Sequence, residues 1–149
     1  MKYEQMNNLP IELTQATIED YKRLIPAMRF AIKKANYLSY QMLKFDILNN
    51  NCYLLKQNNK IIALCSLVFD NQYKMYYIKR LVITNKINLH KGYGKEIIKS
   101  IITKVPKGSV VAATPWNDNT PMKRLLESLG FELRYQIDEN FLLYTTTIW

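Results

Sequence analysis

The chain has 149 residues, of which 48% are hydrophobic and 22% charged. That length can close one core without disulfide or metal staples, and the composition excludes a disordered chain. The net charge is +9, with 9 Lys/Arg against 6 Asp/Glu in residues 1–70 and 12 against 6 in residues 71–149. A basic surface suits a phosphorylated cofactor, nucleic acid or an acidic membrane, or serves solubility alone.

The opening segment "MKYEQMNNLP" has no apolar signal core. No apolar run approaches the roughly 20 residues of a membrane span. A cytoplasmic location with no membrane partner is the expectation, and one domain over residues 1–149. Residues 11–17, "IELTQAT", alternate Ile11 and Leu13 with polar neighbours and predict a first strand. Thr17, with Asp20 three residues on, then caps a helix. Tyr21, Leu24, Ile25, Met28 and Ala31 recur at helical spacing, and Pro26 is expected to kink or divide the segment. Residues 39–50, "SYQMLKFDILNN", predict a second helix ending in an Asn run.

The period then changes. "CYLLKQ" and "IIALCSLVF" read as strands joined by the hairpin signal "NNK", and residues 73–84, "YKMYYIKRLVIT", as a third long strand. The two cysteines, Cys52 and Cys65, form no CxxC pair and cannot build a zinc site with His90, the single histidine. No metal is expected, and Cys65, inside an apolar run, reads as a buried inert thiol. "GYGKEIIKSIITKV" predicts a helix with Ile97, Ile98, Ile101 and Ile102 on one face. "SVVAATPW" predicts a buried strand, and "NTPMKRLLESLG" a helix with Asn119 or Thr120 as cap, Pro121 in the first turn and Gly130 at the end. "FELRYQI" and "NFLLYTTTIW" close the chain as strands. The order βαα, βββ, α, β, α, ββ implies an α+β domain around a mixed, mostly antiparallel sheet flanked by helices.

Two of only 4 glycines, Gly92 and Gly94, lie in "LHKGYGKEII", at the start of a helix. Unpaired N–H groups there can hold an anion, glycine lets a phosphate approach, and Lys91 and Lys95 add charge. A Walker A loop is excluded, because GxxxxGK[ST] is absent. A dinucleotide fingerprint is disfavoured, because Ile97 stands at its third glycine position and the preceding strands read as a hairpin meander rather than a parallel βαβ unit. On its own the GxG fits a tight strand-to-helix turn better than a phosphate cradle.

The surroundings carry more. "IKRLVITNKINLHKGYGKEIIKSII", followed about thirty residues later by "NTPMKRLLESLGFELRY", resembles the GNAT family of acyl-CoA-dependent N-acyltransferases. The resemblance runs from Ile11 onward and is strongest over residues 78–103 and 119–131. It implies the GNAT fold, with about six to seven strands and about four helices, and acetyl-CoA as acyl donor. It also implies that backbone N–H groups of Leu89, His90, Lys91, Gly92, Tyr93, Gly94 and Lys95 hold the coenzyme A pyrophosphate. Leu81, Val82 and Ile83, on a bulged strand, would pair with the pantetheine arm, and Asn119 would contact it. The same residues also fit ordinary core strand and an ordinary helix cap.

The sequence departs from the family in three places. Leu89 stands where the loop usually carries Gln or Arg, and the stretch before the loop is about one residue longer. Leu126 occupies the position of the tyrosine that protonates the leaving thiolate in many members, and leucine has no proton to give. Tyr77 occupies the position of the usual glutamate base. A free tyrosine has a pKa near 10, so Tyr77 suits proton donation or amine positioning better than base work. Tyr144 and Tyr76 are alternatives, and all three also fit packed aromatics.

The resemblance therefore implies transfer of acetyl from acetyl-CoA to a primary amine of a small molecule or peptide, by direct attack in a ternary complex. Two other classes stay open: a CoA-binding regulatory module on the same fold, and a basic protein directed at nucleic acid, with charged tRNA as the nucleic-acid substrate that would fit an enzyme. Residues 28–42 and 138–142 would line the acceptor site, and a monomer and a homodimer are equally compatible with the sequence.

Overall fold

A computed structural model of the chain describes residues 10–27, 40–84 and 89–149. Among them the elements run β1 (Ile11–Gln15), α1 (Ile18–Ala27), α2 (Tyr40–Leu48), β2 (Cys52–Gln57), β3 (Lys60–Asp70), β4 (Met75–Ile83), α3 (Tyr93–Ile102), β5 (Val110–Ala113), α4 (Thr120–Ser128), β6 (Glu132–Gln136) and β7 (Leu142–Thr147). The strands form one seven-stranded sheet in the order β1-β2-β3-β4-β5-β7-β6. The pairs β1–β2, β2–β3, β5–β7 and β6–β7 are antiparallel, and β4–β5 is parallel. The α+β class and the mixed, mostly antiparallel sheet are those the sequence predicts.

One local expectation is corrected. β4, α3 and β5 form a parallel strand-helix-strand unit, which the hairpin pattern of β2 and β3 gave no sign of. The dinucleotide fingerprint is still missing, because Ile97 is fully buried where its third glycine would stand. The predicted continuation of the first helix beyond Ala27 and the long stretch before the loop fall within residues 28–39 and 85–88, outside the described residues.

Contacts group the chain into two compact units. The first comprises Met1–Ser66 and Arg80–Ile97. Here Thr17 opens α1 through a reciprocal cap: its N–H donates to Asp20 Oδ2 at 2.9 Å, and the Asp20 N–H donates back to Thr17 Oγ1 at 3.4 Å. Pro26 lies inside α1, one residue before Ala27, and the division expected at it falls on residues 28–39, outside the described ones. The β2–β3 hairpin turns on Asn58 and Asn59, both left-handed at φ 51° and 60°, as a two-residue type I′ turn requires. Leu24 of α1, Leu43 and Ile47 of α2, Leu54 of β2, Leu64 of β3 and Val82 of β4 share one buried cluster. Each such side chain contributes about 2 kcal/mol by leaving water.

The second unit comprises Leu67–Lys79 and Ile98–Trp149. β5 is apolar along its length and buried at Val111, Ala112 and Ala113, as a strand paired on both edges should be. Asn119 caps α4 by accepting the Met122 N–H at 3.2 Å, and Pro121 follows in the first turn. The helix ends on Gly130 at φ 87°. The Phe131 N–H donates to Leu126 C=O, and the Gly130 N–H to Glu127 C=O, which is the Schellman pattern.

Candidate active site

In the first unit the chemistry belongs to the backbone. The register of β4 with β5 covers Met75 to Ile78 only, while β4 runs on to Ile83. Within that extension Arg80 is left-handed, at φ 51°. An L-residue rarely takes this conformation inside a strand, and it is a departure from regular extended backbone. Leu81 and Ile83 are half-buried, and Val82 is buried in the core cluster. The left-handed residue therefore lies immediately before the three residues expected to meet the pantetheine arm.

Beyond residues 85–88 the chain turns sharply. His90 is left-handed at φ 62° and Gly92 at φ 80°, and α3 begins at Tyr93. Glu96 N–H donates to Gly92 C=O at 3.1 Å, which closes the first turn. By helix geometry the N–H groups of Tyr93, Gly94 and Lys95 have no acceptor inside the helix. Among the described residues, chain neighbours apart, no atom lies within 4 Å of where a Cβ on Gly92 would stand, so the backbone there is open to approach. Lys91 and Lys95 are exposed on either side, and Leu89 and Tyr93 are half-buried. Leu89, His90, Lys91, Gly92, Tyr93, Gly94 and Lys95 thus form one turn into one helix end, whose charge and free donors fit a pyrophosphate. Gly94 is helical, so the conformational need for glycine falls on Gly92 alone.

In the second unit the chemistry would belong to side chains. Leu126 is fully buried in α4, as a core residue. Tyr144, on β7 opposite Ala113, is only 2% exposed, and its hydroxyl donates to Glu127 Oε1 at 3.1 Å. Burial first, then the Glu127 carboxylate, push the Tyr144 hydroxyl pKa above its ordinary value. Tyr77 is half-buried on β4, with Lys79 Nζ 6.0 Å from its ring centre. Burial, then Asp70, Tyr135 and Tyr73, raise its hydroxyl pKa as well. Both hydroxyls keep their protons at neutral pH, so both suit donation and neither suits a base. Tyr76 packs on Phe69, with ring centres 4.8 Å apart. Asn119 uses its side-chain oxygen for the cap, which leaves the amide nitrogen to donate elsewhere.

Two polar groups escaped the sequence reading. Glu127, which holds Tyr144, follows Leu126 directly in a helix whose charges look like solvent-facing ones. Asp46 of α2 is buried and binds Arg80. The signal was present: Asp46 lies three residues from Leu43 and one from Ile47, on the apolar face, and Arg80 interrupts an apolar strand. Of the residues expected around the acceptor, 138–142 form the β6–β7 hairpin, where Asp138 Oδ1 accepts the Asn140 and Phe141 N–H groups and Phe141 packs on Trp116. Residues 28–39 of the other expected stretch lie outside the described ones. Among the described residues no helix is long and apolar enough to cross a membrane.

The left-handed Arg80, the left-handed turn at His90 and Gly92 and the N-terminus of α3 are the backbone features of this region. The family model for the Acetyltransferase (GNAT) family matches residues 16–131, and the chain belongs to that family. Several solved structures share the fold at low identity. An acetyltransferase of the GNAT family from Bacillus cereus ATCC 10987 superposes with a TM-score of 0.79 at 14% identity, covering 94% of this chain and 99% of that one. The ribosomal-protein-S18-alanine N-acetyltransferase from Escherichia coli gives 0.70 at 15% identity, covering 93% and 94%. The yncA protein from Salmonella typhimurium, solved with its cofactor acetyl-CoA, gives 0.72 at 14% identity, covering 93% and 94%. No curated protein matches the sequence.

Proposed function

We propose that this chain, as one domain over residues 1–149, is an acetyl-CoA-dependent N-acetyltransferase. It moves an acetyl group to a primary amine by direct attack in a ternary complex. The observation that carries this reading is the left-handed backbone at Arg80, followed by the turn through Gly92 into α3. Leu81, Val82 and Ile83 would hold the pantetheine arm, the N–H groups from Leu89 to Lys95 the pyrophosphate, and the Asn119 amide nitrogen the arm again. Acetyl-CoA supplies the activated thioester. The amine nitrogen forms a bond to the acetyl carbon, the C–S bond breaks, and the thiolate leaves with the electron pair. Fixing both reactants and polarising the carbonyl lowers the barrier by proximity and electrostatics. Tyr77 or Tyr144, protonated at neutral pH, would donate to the thiolate, and water would take the amine proton.

The fully buried Leu126 favours one second reading, a CoA-binding module that does not turn over. Calorimetry with acetyl-CoA tests binding, and no heat at millimolar ligand overturns both readings. Thiol release over a panel of amines separates them. The panel should include peptides with N-terminal alanine, the acceptor residue named for the E. coli neighbour. Release above the uncatalysed rate removes the second reading.

A further inference from the structure

Arg80 is the one strand-interior residue of β4 in a left-handed conformation, at φ 51°. It is not a glycine, so that conformation costs free energy and persists only where something holds it. The side chain shows what does. Arg80 Nη1 donates to Asp46 Oδ2 at 2.6 Å, with side chains 14% and 3% exposed. Ser66 Oγ of β3 donates to the same oxygen at 2.6 Å. Asp46 is anchored in turn by α2, between Leu43 and Ile47, which share the core cluster with Val82 of β4.

The pair is a poor stability device. Both charges leave water, and Arg80 Nε is buried with no hydrogen-bond partner among the described residues. Buried ion pairs of this kind often stabilise no better than apolar residues of the same volume, although breaking one partner alone is costly. Its specific effect is geometric: a short, directed, charge-assisted bond fixes where the Arg80 side chain goes, and through it the backbone conformation of residue 80.

We propose that Asp46 is a positioning residue for the acyl donor. Its carboxylate pins the Arg80 guanidinium, the pin holds the left-handed conformation, and that conformation sets the backbone of Leu81–Ile83 for the pantetheine arm. This rests on the acetyl-CoA reading above. Asp46 touches no reactant; it acts through Arg80.

The test uses two double variants that remove the charge pair without leaving a lone buried charge. Asp46→Leu with Arg80→Met fills the space but gives residue 80 no reason to be left-handed. Asp46→Leu with Arg80→Gly lacks the pin but takes positive φ freely. The sign of φ at residue 80 is read by NMR couplings and carbon shifts without ligand, acetyl-CoA affinity by calorimetry, and folding by the thermal midpoint. The methionine variant is expected to fold, lose the positive φ and bind acetyl-CoA at least tenfold more weakly. The glycine variant is expected to recover positive φ and most of the affinity. Wild-type φ and affinity in the methionine variant overturn the proposal, as does equally weak binding by both. The single variant Asp46→Asn, studied below its midpoint, must lie between wild type and the methionine variant; wild-type behaviour there also overturns it. If wild type itself binds no acetyl-CoA, the functional reading falls and the proposal falls with it. If wild type binds and the variants bind equally well, only the proposal falls.

Discussion

The segment from Arg80 to Lys95 and the trio Tyr77, Leu126 and Tyr144 use polarity in opposite ways. The first is marked by its main chain, with left-handed residues at Arg80, His90 and Gly92 and the N-terminus of α3. The second hides side chains: Leu126 is sealed in the core and the Tyr144 hydroxyl is tied to Glu127. Backbone binding survives side-chain drift, because every residue carries the same N–H and C=O. On the proposed reading, Leu89 can therefore stand where the family resemblance implies Gln or Arg. Proton transfer has no such freedom, and one exchange of tyrosine for leucine removes it.

The sharpest way to break that contrast is at Gly92. Isoleucine there would be a β-branched residue at φ 80°, a conformation such residues avoid. Space is not the obstacle among the described residues, since none beyond the chain neighbours lies near the new Cβ; the cost is conformational, together with loss of close approach. Gly92→Ile is expected to weaken acetyl-CoA binding roughly 1,000-fold, equivalent to about 4 kcal/mol. The circular dichroism spectrum should stay that of wild type. Retained binding would mean that the turn holds no pyrophosphate.

Leu126 tests the other side. As a core residue, Leu126→Ala should lower unfolding free energy in urea by about 3 kcal/mol. Leu126→Tyr restores the family's usual residue but must place a larger, polar side chain in a full core, at a cost of about 1–3 kcal/mol. No gain in thiol release is expected from it. A gain would show that α4 can still present this position to an acyl donor, and the contrast between the two regions would dissolve.

The sequence resolved these regions unequally, for physical reasons. Periodicity and caps are local, so Thr17 with Asp20, the Asn58–Asn59 turn, and Asn119 with Gly130 around α4 were all legible. The parallel pairing of β4 with β5 depends on a crossover that no local pattern encodes. Asp46 and Arg80 are 34 residues apart and meet only through packing. Each stands on an apolar element, but nothing local to either says that the other is its partner. The left-handed backbone itself left no mark in composition, because arginine is an ordinary residue in an extraordinary conformation.

Asn119 offers a smaller effect that separates two roles of one side chain. Asn119→Ala removes the bond from Met122 N–H and should cost about 1 kcal/mol of stability. Asn119→Ser keeps an oxygen for the cap and should restore it, but it lacks the amide nitrogen. If that nitrogen holds the pantetheine arm, calorimetry will show acetyl-CoA binding weakened in both variants. Wild-type affinity in the serine variant would leave Asn119 as a cap alone.

The smallest effects concern the two tyrosines, and their sign follows from linkage. In the unfolded chain a tyrosine hydroxyl ionises near pH 10. In the folded protein Tyr77 and Tyr144 hold their protons to higher pH, through burial and their neighbours. The folded state therefore binds more protons once pH passes 10, and stability is whole below that value and falls as pH rises above it. Tyr144→Phe should cost under about 1 kcal/mol at pH 7, the net worth of one hydrogen bond, and should flatten that alkaline loss. Turnover has the matching sign. A tyrosine acting as donor keeps its proton throughout the neutral range, so its ionisation should lower the rate only above about pH 10. A tyrosine acting as base would instead make the rate rise toward pH 10. Comparing the pH–rate profiles of Tyr77→Phe, Tyr144→Phe and wild type decides which hydroxyl, if either, the chemistry uses. The donor's variant should lose turnover at neutral pH and with it the alkaline limb, while the other variant keeps the wild-type profile.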